Sequence, residues 1–135
     1  MLTQEEIRLV QADWKLVVSN GLTAANLFYE RLFDLDPKLR GLFPADLAEQ
    51  KGKLIRMIGV AVNGLDDLGA IVPAVQDLGR RHVGYGVKPE HYATVGAALL
   101  WTLKGGLGES FDSAHEEAWG KVYQVLANTM QTAPS

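Results

Sequence analysis

The stretch LGAIVPAVQDLGRRHVGYG, residues 68–86, sets the fold class. Leu68, Ile71, Val75, Leu78 and His82 recur three or four residues apart, so they share one face of a helix. That face ends on an imidazole rather than on another hydrocarbon. Gly84 and Gly86 mark its close. Pro73 has no amide hydrogen and fits only in a first turn, so regular helix is expected from about Ile71.

The same period runs outward in both directions. Thr3 and Glu6 form a capping pair, and Ile7, Val10, Trp14 and Val17 follow at helical spacing, predicting a helix over about 4–19. After Asn20-Gly21, the residues Leu22, Ala25, Tyr29, Leu32 and Phe33 mark a second helix that ends near Leu35-Asp36. Asp36-Pro37 opens a short helical segment over 37–42, which Phe43-Pro44 stops. Asp46 and Glu49 signal a further start, with Leu47, Gln50, Leu54, Met57, Ile58 and Ala61 as its stripe and Gly64 as terminator.

Beyond residue 86, Pro89 opens a helix carrying Tyr92, Val95, Leu99 and Leu103, with Gly105-Gly106 as the expected close. Ser113 and Glu116 then cap a last helix with the stripe Trp119, Val122, Tyr123, Leu126 and Met130, expected to fray into residues 132–135. No segment alternates as a half-buried strand does, and no long repeat or low-complexity tract occurs. The expectation is an all-α single domain over 1–135, its helices packed around a shared centre through short loops.

Composition narrows the function. The 135 residues are 47% hydrophobic and 21% charged, as in ordinary globular domains. Thirteen Lys and Arg against sixteen Asp and Glu give a net charge of −3 with no basic block, which argues against nucleic acid. The absence of cysteine removes disulfides, thiolate metal sites and a thiol nucleophile together. Neither a basic, apolar leader nor a run of about 18 apolar residues is present, so no membrane partner and a cytoplasmic location are expected. The glycine-rich pieces at 84–86 and 105–108 lack phosphate-loop spacing, and no hydrolase or EF-hand pattern occurs.

Three apolar stripes are interrupted by a group that needs a partner when buried: Tyr29, Gln50 and His82. A histidine on an apolar face is commonly a hydrogen-bonded core residue, a tyrosine often keeps its hydroxyl at the rim, and a first-turn glutamine is usually solvated. His91 and His115 also border apolar stripes, each four residues before an apolar position, so periodicity does not separate the three histidines. Position separates them slightly. His91 and His115 sit in first turns near unpaired backbone N–H groups, whereas His82 closes a helix behind Leu78.

Four pieces in their order carry a family resemblance: Leu27-Phe28-Tyr29-Glu30-Arg31-Leu32-Phe33, Asp36-Pro37 with Leu42-Phe43, Leu78-Gly79-Arg80-Arg81-His82, and Ala118-Trp119-Gly120-Lys121-Val122-Tyr123. Over nearly its whole length the chain resembles the globins, most closely single-domain bacterial globins and the globin domain of flavohaemoglobins. The resemblance implies a three-on-three helical sandwich around haem b. It makes His82 the proximal iron ligand, Phe43 the ring packed on the haem, Tyr29 and Gln50 the distal polar pair and Leu54 the apolar distal wall. Leu78, Val87 and Tyr92 fall among the implied haem contacts, and Lys53 and Arg81 are candidates for the propionates.

The resemblance implies reversible binding of dioxygen or a related diatomic gas, for storage, delivery or scavenging. The alternatives are nitric oxide dioxygenation and gas sensing through a protein partner. Flavohaemoglobins continue into a flavin- and nicotinamide-binding reductase, whereas this sequence ends at Ser135, so an external reductase is the expected electron source. They also carry a glutamate near the end of the last helix that works with a tyrosine matching Tyr92. Here that stretch reads Gln131-Thr132-Ala133-Pro134, without a carboxylate, which argues against peroxidase-like chemistry.

Overall fold

The computed structural model describes residues 2–132. Six α-helices dominate: α1 (Gln4–Val18), α2 (Gly21–Leu35), α3 (Ala48–Asn63), α4 (Leu68–Gly84), α5 (Pro89–Leu107) and α6 (Ser113–Gln131). Single 3-10 segments cover Pro37–Leu42, Leu65–Asp67 and Gly108–Ser110, and no strand occurs among the described residues. No single helix among them is long and apolar enough to cross a membrane.

Local chemistry explains most boundaries. The Thr3 hydroxyl accepts from the Glu6 amide while the Glu6 carboxylate accepts from Thr3, closing a capping box at the start of α1. Asp36 accepts from Lys38 N–H and Pro37 fills the first position of the 3-10 segment.

Four expected boundaries move. Helix α4 begins at Leu68 rather than near Ile71, with Pro73 inside it. The proline removes only the bond to the Gly69 carbonyl, and Gly69 is exposed, so water can satisfy that oxygen. Helix α5 runs through Gly105-Gly106 to Leu107, because glycine weakens a helix without ending it. The chain turns only at Gly108, whose φ of 60° is left-handed. The cap of α6 is Asp112, which accepts from the Ala114 and His115 amides, and Ser113 is the first helical residue. At α3, Asp46 accepts from Ala48 N–H just ahead of the helix, and Glu49 reaches along it to Lys53. Of the expected terminal fray, residues 133–135 lie outside the described residues.

The helices stack in two layers, α1, α3 and α4 against α2, α5 and α6, with the broadest contacts where α2 crosses α5 and α4 crosses α6. Trp119, Leu32, Leu103, Val10, Val62 and Val122 are sealed in the shared core. Close approach at two crossings depends on glycine. A Cβ on Gly79 would lie 2.2 Å from the Met130 carbonyl oxygen, and one on Gly96 2.8 Å from the Tyr123 ring. These crossings bring α4 and α5 close to α6, and the three helices form one wall of a cavity.

Candidate functional site

His82 stands in the last full turn of α4. Its Nδ1 lies 2.8 Å from the Leu78 carbonyl oxygen, one turn back along the same helix. A carbonyl only accepts, so Nδ1 carries the proton and Nε2 keeps its lone pair. Burial holds the imidazole below its ordinary pKa; the bond to Leu78 opposes that and the charge of Arg81 adds to it. His82 is therefore a neutral, oriented, single-nitrogen base on the wall of a cavity.

The opposite wall comes from α2, the Pro37–Leu42 segment and α3. Tyr29 is only 4% exposed and sits in a ring cluster with Phe28, Phe33 and Phe43, at centroid separations of 5.1, 5.9 and 5.6 Å. Burial raises the Tyr29 pKa, and a side-chain hydrogen bond from Gln50 opposes that rise.

Between these walls lies a cavity of about 220 Å³. It exceeds the apolar voids of about 150 Å³ that take up a benzene ring. Of the residues singled out in the sequence, Tyr29, Phe43, Gln50, Leu78, His82, Val87 and Tyr92 all line it. Leu54, Lys53 and Arg81 do not. Leu54 faces a separate small void with Trp14, Val17 and Phe28, and the α3 side of the main cavity is formed by Met57, Ile58 and Ala61 instead. Lys53 pairs with Glu49 at 3.5 Å and Arg81 with Asp77 at 3.1 Å, both more than half exposed.

The sequence pattern gave no site role to Tyr123, which reads as one more stripe position on α6. In the fold it lines the cavity, and its hydroxyl donates to the Tyr92 carbonyl at 2.5 Å while Gly96 N–H bonds back to it. Burial raises its pKa strongly, with the nearby Tyr92 adding to the rise. Of the stretch compared for a proximal carboxylate, Gln131 bonds to the Ala127 carbonyl, and residues 133 and 134 lie outside the described residues.

The remaining histidines are otherwise engaged at Nδ1. His115 donates to Asp13 at 2.6 Å, and the same carboxylate oxygen accepts from Trp119 Nε1 at 3.1 Å, tying α1 to α6 away from the cavity. His91 lines the cavity, but its Nδ1 accepts from Lys88 N–H at 3.0 Å. Among the described residues no group of three or more His, Asp or Glu comes together to hold a metal. A lone imidazole nitrogen facing an apolar space suits a metal whose other ligands arrive with it, in a flat and largely apolar macrocycle.

Known proteins resemble this chain over most of its length. A globin family model matches residues 26–130. The chain belongs to the globin family. This globin is 30% identical to a neuroglobin from Tetraodon nigroviridis over 96% of its length and 90% of the relative's. It is 32% identical to a flavohemoprotein from Bacillus subtilis over 95% of its length, and there it spans only 33% of the relative. Among solved structures, a bacterial globin from Campylobacter jejuni superposes with a TM-score of 0.85 at 30% identity, covering 96% of this globin and 94% of that chain.

Proposed function

We propose that this globin binds haem b through Nε2 of His82 and takes up dioxygen, or a related diatomic gas, reversibly on the side of Tyr29 and Gln50. One observation carries the reading. A neutral imidazole with a free nitrogen and a buried phenol–amide pair occupy opposite walls of the same apolar cavity. His82 would hold the haem, which when bound would supply an iron able to take up a diatomic gas, and the polarity of the surrounding pocket would set what that gas does.

The chain's own groups divide the work. Leu78 fixes the tautomer and plane of His82, so the nitrogen is presented without a rotamer search. Tyr29 and Gln50 line the other wall together, and the hydroxyl proton of Tyr29 can stabilise a ligand that gathers negative charge. The ring cluster behind Tyr29 keeps water from competing for that proton.

Hemin titration of the purified apoprotein tests the reading directly. A sharp Soret band at one equivalent is expected from the wild type, and none of that form from His82→Ala. Wild-type protein that takes up no hemin would refute it.

The likeness to flavohemoproteins favours one second reading, oxidation of nitric oxide with electrons from a separate reductase. Sustained nitric oxide consumption by the loaded protein with a flavin reductase and a nicotinamide donor supports it. A single turnover, without recovery when the reductase is present, leaves reversible gas binding alone.

A further inference from the structure

The haem reading leaves one need unmet. A macrocycle with carboxylate arms requires donors for them, because an unpaired carboxylate at an apolar site is costly. Among the described residues no lysine or arginine lines the cavity, and Lys53 and Arg81 are paired with Glu49 and Asp77 outside it.

The polar groups that do line it are mostly committed. Gln50 bonds to Tyr29, His82 Nδ1 to Leu78, Tyr123 to the Tyr92 carbonyl and Trp119 Nε1 to Asp13. Besides the gas-facing Tyr29, His91 and the Tyr92 hydroxyl remain. Of these, only the His91 ring is anchored to the backbone. Its Nδ1 accepts from Lys88 N–H at 3.0 Å, and its own amide donates to the Lys88 carbonyl at 2.9 Å. An imidazole whose Nδ1 accepts carries its proton on Nε2, so the free ring nitrogen is a donor held in place before any ligand arrives. The residue is half-buried, with Lys88, Pro89 and Glu90 exposed beside it, which puts the donor where the cavity meets solvent.

We propose that His91 is the anion-holding residue of this cavity, its Nε2–H donating to a carboxylate arm of the macrocycle. This rests on the haem reading. It replaces Lys53 and Arg81, which the family resemblance made candidates, with a neutral donor that the cap of α5 orients.

The test is the rate at which hemin leaves the loaded protein for an excess of a haem-scavenging apoprotein. Glutamate in the third helical position can reach back to the cap amide as His91 does, so His91→Glu keeps the cap and removes the donor. It should lose hemin about tenfold faster, the worth of one charge-assisted hydrogen bond. Its apoprotein should melt within about 2 °C of the wild type, a change of well under 1 kcal/mol. His91→Gln keeps both an acceptor for the cap and a donor, and its rate should stay within about twofold of the wild type.

Iron protoporphyrin dimethyl ester, which has no carboxylate, should erase the difference between wild type and His91→Glu. On the wild type alone it should leave about tenfold faster than hemin. That arm stands even where His91→Glu folds poorly. Equal hemin loss from wild type and His91→Glu overturns the proposal, as does a difference that persists with the ester. Failure of the haem reading looks different, since wild-type protein then takes up no hemin.

Discussion

The two walls of the cavity are built by different means. On the α2–α3 side, side chains meet side chains: Phe28, Phe33 and Phe43 pack around Tyr29, and Gln50 lines the cavity with it. On the α4–α5–α6 side, functional groups are tied to backbone. His82 bonds to the Leu78 carbonyl, Tyr123 to the Tyr92 carbonyl and His91 to the Lys88 amide, while Gly79 lets α4 lie against the Met130 main chain. The first wall can be retuned by exchanging a side chain without moving a helix. The second holds its groups only as long as the helices keep their spacing. A gas-facing surface gains from the former, and a surface that must grip a metal at a set depth gains from the latter.

The largest expected effect falls on the backbone-tied wall. His82→Ala should abolish the Soret complex, and millimolar imidazole added to the variant should restore it by filling the vacated space. A wild-type spectrum from His82→Ala would transfer the ligand role to another residue and end the contrast.

Gly79→Ala comes next. Its Cβ would meet the Met130 carbonyl oxygen at 2.2 Å, and main chain cannot rotate away as a side chain does. A loss of about 3 kcal/mol in urea unfolding is expected, with faster hemin loss, because α4 must move away from α6 and carry His82 with it. An unchanged midpoint would show that this crossing is looser than the spacing indicates.

On the other wall, Tyr29→Phe removes a hydroxyl without disturbing the rings. Dioxygen should dissociate about ten- to a hundredfold faster in stopped flow, while hemin affinity stays near wild type. A large change in hemin retention instead would mean that the two walls are not separable.

The smallest effect lies outside both walls and serves as a control. Hydrogen bonds from Lys121 and from the Thr3 backbone hold the Glu6 carboxyl below its ordinary value of 4.5. A lowered folded pKa contributes stability above about pH 4.5 that disappears as the pH falls through the folded value. Glu6→Gln should therefore flatten the acid limb of the melting curve below that pH and leave hemin binding and gas release untouched. A change in either would couple this ion pair between α1 and α6 to the cavity.

Much of the fold was legible without coordinates. The Thr3–Glu6 box, the Asp36-Pro37 start and the spacing from Val75 to His82 act between residues within a turn or two, so local chemistry reports them. Boundaries failed where local chemistry is permissive. Pro73 proved compatible with an earlier start because its unbonded carbonyl partner is exposed, and Gly105-Gly106 proved compatible with continued helix. The candidate site divided in the same way. Tyr29, Gln50 and His82 interrupt apolar stripes and are visible as such, whereas Leu54, Lys53 and Arg81 occupy helix positions near the cavity but on other faces.

The amino-acid order by itself determined the helices, their apolar faces and the three imidazoles at the margins of those faces. Only tertiary structure decided what each imidazole does. His115 is engaged by Asp13, 102 residues away, His91 turns its acceptor to a cap, and His82 keeps Nε2 free across the cavity from a phenol on another helix. Helical periodicity is a property of near neighbours, which a linear chain displays. The partner of a ring nitrogen is set by groups that become neighbours only when the helices pack.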